Sequence, residues 1–243
     1  MRGWLVVFAK APQPGQVKTR LSPPFSPAEA AELYRCLLLD ALDESEKAAA
    51  ELGCEAVIAV DPAGAAAEVA SRAPAGFRAI AQGGGELGAR MSHVARQAGA
   101  AGAPFALLRG SDSPCLDRAV LRDAVVALSD FDLVLCPDRD GGYNLVALGA
   151  RALERGPRDG LFDHPMSTPA VLRDTLAQAE RSRLRAHRLA PGFDIDRFDD
   201  LRWLAAARES RAALPCRRTL GFLDERRLWP PAGSARSSFP SSP

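Results

Sequence analysis

The sequence predicts an α/β protein with an open, mostly parallel central sheet flanked by helices. Two observations carry this. Short apolar runs bounded by turn residues alternate with longer segments of helical periodicity, the order that βαβ units produce. The first run, Trp4 to Ala9, is apolar without interruption, as in a strand buried on both faces.

The elements follow in turn. After Trp4–Ala9 comes a Pro- and Gly-rich loop, 10–27. Ser26 is placed to cap a helix with Pro27 at its first position, and Leu33, Leu37, Leu38 and Leu42 lie at helical spacing on its way to Glu51. Ala56 to Val60 reads as a strand, Ala65 to Arg72 as a short helix, and Phe77 to Ala81 as a weaker strand. A glycine turn, Gly83 to Gly85, leads into a helix from Leu87 to Ala100. Phe105 to Leu108 is a strand, and Asp117 caps a helix to Leu128. Leu133 to Cys136 and Tyr143 to Leu148 are strands around a turn. The stretch Arg151 to Thr168 reads as irregular. Thr168 is placed to cap a helix to Ala179, Leu184 to Leu189 is a strand, and a helix begins near Phe198.

Composition sets limits. The chain has 243 residues, 47% apolar and 25% charged, the balance of a globular protein whose core needs no disulfide or metal support. We expect one domain over 1–229 and a disordered Pro/Ser-rich tail over 230–243. A formal net charge of +1 excludes a strong general attraction to nucleic acid or anionic membrane. Five cysteines without C-x-x-C spacing and scattered histidines argue against zinc and for a reducing compartment. The opening MRGWLVVFAK reads as a strand rather than a signal segment. No apolar run reaches the roughly 18 residues needed to span a bilayer. The expected location is the cytoplasm.

Sheets of this class bind ligands beyond the carboxyl ends of their strands. The first such loop holds Lys10, Gly15, Lys18 and Arg20. Backbone amides near Gly15 can approach a phosphate, and Lys18 and Arg20 can neutralise its charge; a solvated basic loop is the plainer reading. Neither a Walker A loop nor a G-x-G-x-x-G fingerprint is present. The second loop, Gly110-Ser111-Asp112-Ser113-Pro114, puts a carboxylate past a buried strand, where it can hold a hard divalent cation or make only a local turn bond. The third, Asp194-Ile195-Asp196, is weak alone, because Asp-x-Asp recurs at Asp130/Asp132 and Asp138/Asp140; helix capping near Asp196 or Asp199 is its alternative. The fourth, Asp138 to Asn144, carries Gly141 and Gly142, a tight turn or a close approach to ligand.

In this order the segments resemble the DUF2064 family, also described as GT-A-like or radical-SAM/selenodomain-associated transferase 1. The matching stretches are Phe8-Ala9-Lys10-Ala11-Pro12, Pro14-Gly15 and Val17-Lys18-Thr19-Arg20-Leu21; Gln82-Gly83, Leu87-Gly88 and Arg90-Met91; Gly110 to Pro114; Asp140-Gly141-Gly142-Tyr143; and Asp194-Ile195-Asp196 with Asp200-Leu201. The resemblance implies a GT-A, nucleotide-diphospho-sugar transferase fold of Rossmann-like kind. It implies that Lys10, Gly15, Lys18, Arg20, Gln82, Gly83 and Arg90 bind nucleotide and phosphate. It gives a Mg²⁺ or Mn²⁺ site to Asp112 with Asp194 or Asp196, and an acceptor pocket to Gly141, Gly142, Tyr143, Ser167 and Thr168. Three positions depart from the pattern: Glu86 where Asp is commoner, Asn144 where an aromatic is usual, and Met166 where Trp is expected.

The expected activity is metal-dependent transfer from a nucleotide or nucleotide-sugar donor to a small-molecule acceptor, with glycosyl transfer first. Nucleotidyl transfer to a small phosphorylated acceptor is the alternative, and a non-catalytic nucleotide-binding protein the third. Asp112 and, by its loop position, Asp140 are the catalytic candidates.

Overall fold

A computed structural model describes residues 1–210 and 213–231. The chain runs β1 (Trp4–Lys10), α1 (Pro27–Leu52), β2 (Glu55–Asp61), α2 (Ala66–Ala70), β3 (Phe77–Ala81), α3 (Leu87–Ala100), β4 (Phe105–Arg109) and α4 (Arg118–Ala127). It continues through β5 (Leu133–Pro137), β6 (Tyr143–Gly149), α5 (Ala150–Arg155), α6 (Val171–Arg181), β7 (Ala186–Arg188), α7 (Leu201–Ser210) and α8 (Arg217–Arg226). Among the described residues the strands form one sheet in the order β3-β2-β1-β4-β6-β5-β7. The pairs β1–β2, β1–β4, β2–β3 and β5–β7 are parallel, and β6 runs antiparallel to both neighbours. The sheet is open and mostly parallel, as the sequence predicts.

Local signals set the elements. Ser26 and Glu29 form a reciprocal capping box at the start of α1, with Pro27 in the first turn, and Gly53 ends the helix at φ +65°. The Asp117 carboxylate accepts the Val120 N–H and starts α4. Along β1, Trp4 and Val6 enter one core with Val57, Val94, Leu108 and Val146. Leu5 and Val7 enter the layers on the opposite face, with Leu107 and Val134 or with Leu38, Leu42 and Ile58. Burial on both faces is why this strand reads as one apolar run.

Three expectations need correction, and one helix lies where none was expected. Part of the stretch read as irregular is α5, a helix too short to show a period. Thr168 does not cap α6: its hydroxyl accepts the Ala170 N–H in a local turn, and the helix begins at Val171. β7 is shorter than Leu184–Leu189, because the Leu184 N–H still closes α6 on the Ala179 carbonyl. The helix α8 was not read at all. It is polar and docks through Asp40 of α1, a carboxylate 4% exposed that accepts the Thr219 N–H and hydroxyl and the Arg218 side chain.

The expected tail, 230–243, lies from 232 onward outside the described residues. No helix among the described residues is long and apolar enough to cross a membrane.

Candidate functional site

β1 has β2 on one side and β4 on the other, so the chain winds outward in both directions from the β1/β4 gap. Loops leaving two such strands part and open a crevice at their carboxyl ends. The loop after β1 carries Lys10 to Arg20, and the loop after β4 carries Gly110 to Leu116. Tyr34 of α1 fastens them together: its hydroxyl accepts the Lys10 N–H at 2.8 Å and lies 3.0 Å from the Ser111 hydroxyl.

Within the first loop Gly15 turns the chain at φ +74°, and Lys18 adopts φ +49° just before a short 3-10 turn, Thr19–Leu21. That conformation is uncommon for a side-chain-bearing residue. It sends the Lys18 side chain inward, where it is only 6% exposed. Its Nζ lies 2.6 Å from Asp112 Oδ2 and 2.6 Å from Asp196 Oδ1.

The two carboxylates come together through backbone bonds. The Ile195 N–H donates to the Asp112 carbonyl at 3.0 Å, and Gly192 N–H to the Pro137 carbonyl at 2.8 Å, stitching 192–196 across the ends of β4 and β5. Asp200 caps the following turn by accepting the Asp196 and Arg197 N–H groups, so capping falls to Asp200 rather than to Asp196 or Asp199. Arg109 braces the Asp112 loop from beneath. Its guanidinium is 2% exposed and donates to the carbonyls of Gly110, Ser113 and Leu116. Sequence reading missed Arg109, since a charged residue ending an apolar strand looks like a surface position.

Electrostatics divides the acidic residues into two groups. Burial alone would lower the pKa of Lys18, but Asp112 and Asp196 outweigh it and hold the ammonium charged. Lys18 in turn holds the Asp196 carboxyl below its ordinary value. Asp194 behaves oppositely. Burial and the charges of Asp112 and Asp138 push its pKa well up, and it accepts the Ser113 hydroxyl rather than Lys18. Asp138, which accepts the Asp194 N–H at 3.1 Å, is pushed up to about 7, chiefly by burial. Its proximity to Asp194 was invisible in the sequence.

Two cavities meet here. The smaller, about 370 Å³, is lined by Lys10, Lys18, Arg20, Gln82 and Arg90 with Tyr34 and Ser111. Gln82 is buried and donates to the carbonyls of Ala9 and Ala59, while Arg90 bonds to Asp61 and to the Gln82 side-chain oxygen. The larger, about 610 Å³, is lined by Asp138, Asp140, Gly142, Tyr143, Asn144, Met166, Ser167, Thr168, Asp194 and Trp203, among others. Arg139 stacks over Trp203 at 3.9 Å on its wall. Both cavities are lined by Phe8, Arg20, Leu87, Gly110, Asp112 and Asp196.

Gly15, Gly83 and Gly141 line neither cavity, and each has positive φ. Asp140 accepts the Gly142 N–H within its own turn. Asn144 is 3% exposed, and neither its side-chain oxygen nor its nitrogen has a partner.

A hard divalent cation fits the donor set in one respect: the oxygens of Asp112 and Asp196 already converge on a single positive charge. Among the described residues no three His, Cys, Asp or Glu side chains converge on one point. The chain therefore offers two carboxylates, and ligand oxygens or water would complete a shell.

Residues 44–168 match the family model described as "Uncharacterized protein conserved in bacteria (DUF2064)". No curated protein matches the chain. Among solved structures, a protein of Desulfovibrio desulfuricans G20, provisionally named a nucleotide-diphospho-sugar transferase, superposes with a TM-score of 0.79 at 28% identity. The match covers 93% of this chain and 95% of that one. CMP:2-keto-3-deoxy-manno-octonic acid synthetase in complex with CTP gives 0.52 at 14% identity, over 86% of this chain and 99% of that one. The 4-diphosphocytidyl-2C-methyl-D-erythritol synthase of Anaerococcus prevotii DSM 20548 gives 0.53 at 11%, again over 86% and 99%. At those identities the last two establish the fold alone; the likeness to the nucleotide-diphospho-sugar transferase fold rests on the first.

Proposed function

We infer, for a chain that belongs to the DUF2064 family, that it transfers a glycosyl group from a nucleoside-diphosphate sugar to a small-molecule acceptor with the help of Mg²⁺ or Mn²⁺. One observation carries the reading: two cavities, one cationic and one rich in hydroxyl and carboxylate groups, open onto a shared wall that includes Asp112, Asp196 and Arg20. Transfer between two substrates needs their reacting atoms held against each other, and much of such catalysis is positioning.

The smaller cavity takes the donor. Lys10, Arg20 and Arg90 supply cationic donors for the nucleotide and its phosphates. The larger takes the acceptor, between Tyr143, Asn144, Ser167 and Thr168. Charge accumulates on the departing diphosphate, and fixed cations aimed at that charge lower the barrier. Asp112 and Asp196 would hold a divalent cation, which would supply further neutralisation of the leaving group. The larger cavity also holds Asp138, whose raised pKa suits a group that accepts a proton near neutral pH.

The test is a donor screen with UDP- and GDP-sugars and with labelled nucleoside triphosphates. Release of free nucleoside diphosphate in an acceptor-dependent reaction supports the reading. Pyrophosphate release assigns nucleotidyl transfer instead. Tight nucleotide binding with no turnover and no metal effect would leave only a binding protein.

A further inference from the structure

The strongest unexplained feature of the crevice is that a lysine stands where a divalent cation would stand. The Lys18 Nζ is 2.6 Å from each of Asp112 and Asp196, and the side chain is almost wholly buried. The backbone conformation that puts it there, φ +49°, is one that a side-chain-bearing residue adopts only when its surroundings compensate. In the same cavity wall as Asp112 and Asp196 lies Asn144, a buried amide with no partner for either polar atom. A buried amide on the cavity wall with both polar atoms unpaired is a group that a polar ligand bound there would satisfy.

We propose that Lys18 is the resident cation of this site in the free protein, and that divalent metal settles between Asp112 and Asp196 only when donor phosphates draw the Lys18 ammonium out. The proposal rests on the donor assignment above and adds an order of events.

The argument is one of charge and space. Two carboxylates held together without a cation repel each other. Lys18 removes that repulsion, so the empty site is stable without metal. An ammonium and a divalent cation between the same two oxygens would lie within a few ångströms of each other and repel strongly in a partly dry site. Metal entry therefore requires Lys18 to move, and an ammonium leaves two carboxylates readily only for another anion. Lys18 lines the smaller cavity together with Arg20, so a diphosphate bound there offers that anion. Donor and metal then bind cooperatively, through exchange of one cation for another as well as through shared ligands.

The experiment uses the full chain and Mn²⁺ followed by electron paramagnetic resonance, which reads free hydrated Mn²⁺ without any turnover. Without nucleotide, Lys18→Met should bind Mn²⁺ at least about tenfold more tightly than the parent, within the usual range of site-to-site coupling. Lys18→Arg should stay as weak as the parent, and Lys18→Met combined with Asp112→Asn should lose the gain. If Lys18→Met binds Mn²⁺ no better than the parent, the proposal fails. Should Lys18→Met not fold, the parent decides through the ¹H–¹⁵N signal of the Lys18 ammonium. That signal should persist with diamagnetic Mg²⁺ alone and shift when UDP or GDP is added with Mg²⁺; a shift with Mg²⁺ alone overturns the proposal. Failure of UDP and GDP to bind would count against the donor reading, while the metal-alone comparison would still judge Lys18.

Discussion

Gly141 lies so close to Pro169 that a Cβ built on it would sit 2.1 Å from the Pro169 carbonyl oxygen. Its φ of +92° is a second bar to any side chain. The Leu172 N–H donates to the Gly141 carbonyl at 2.9 Å, so the turn between β5 and β6 is clamped to the start of α6, and the neighbours of this clamp, Asp140, Gly142, Pro169 and Val171, line the larger cavity. We predict that Gly141→Ala lowers the unfolding free energy by roughly 1–3 kcal/mol, the usual cost of a forced backbone conformation or overpacked contact. Urea denaturation measures it. A variant as stable as the parent would mean that the turn and the Pro169 segment move apart freely.

Lys18 and Arg20 behave differently, although the sequence presents them as a pair of exposed loop cations. Arg20 is exposed, so Arg20→Ala should leave stability within about 0.5 kcal/mol. It should weaken nucleoside-diphosphate binding by about 1.5–3 kcal/mol, the size of a lost charged hydrogen bond. Lys18→Ala should weaken stability as well, because Asp112 and Asp196 would face each other unpaired. The loss should be on the order of 1–3 kcal/mol, below that of a fully buried pair because both carboxylates reach solvent. Calorimetric titration beside thermal unfolding separates the two effects. Equal stability in both variants would contradict the Lys18 bridge.

That contrast shows where sequence reading stops. The strand β1, the helix α1 with Ser26 and Pro27, and the Asp112 loop were legible because their signals are local: an apolar run, a cap, a carboxylate past a strand. The burial of Lys18 was not, because it depends on Asp196, brought near by the bond from Ile195 to Asp112. The helix α8 escaped for a related reason. Its few buried residues, Thr219, Phe222 and Leu223, make no period strong enough to read, and its anchor, Asp40, lies on α1. Asp138 looked like a turn residue beside Asp140. Only the return of Asp194 encloses it.

Stability should depend on pH with two opposing signs. The Asp138 carboxyl has its folded pKa raised to about 7, so the folded state holds its proton more tightly than the unfolded chain does. Its contribution is full below the unfolded value near 3.9 and is lost as pH rises through about 7. Asp194 acts in the same direction. Asp196 is lowered by Lys18, so its contribution is present above the unfolded value and lost as pH falls. Between about pH 4 and 7, Asp138→Asn should therefore flatten the decline in stability expected of the parent. Chemical denaturation across that range checks it, and an unchanged slope would show that Asp138 titrates as an ordinary exposed carboxyl.

The late aspartates should divide sharply in their effect on metal. Asp196 meets Asp112 around one ammonium, whereas Asp194 is turned to the Ser113 hydroxyl and the Asp138 side. If Asp112 and Asp196 hold the cation, metal and donor should tighten each other by the same factor, of about five- to a hundredfold by ordinary coupling. Asp112→Asn keeps the shape of the side chain and the Lys18–Asp196 contact, so the fold should survive while the coupling falls close to one. Asp196→Asn should remove most of it. Asp194→Asn should leave it within about threefold, because a hydrogen-bonded carboxyl with a raised pKa makes a poor ligand for a hard cation. Donor titrations with and without Mn²⁺ in the three variants give the factors directly. Loss of coupling in Asp194→Asn with retention in Asp196→Asn would move the cation deeper, toward Asp138, and would leave Lys18 paired with Asp196 for structure alone.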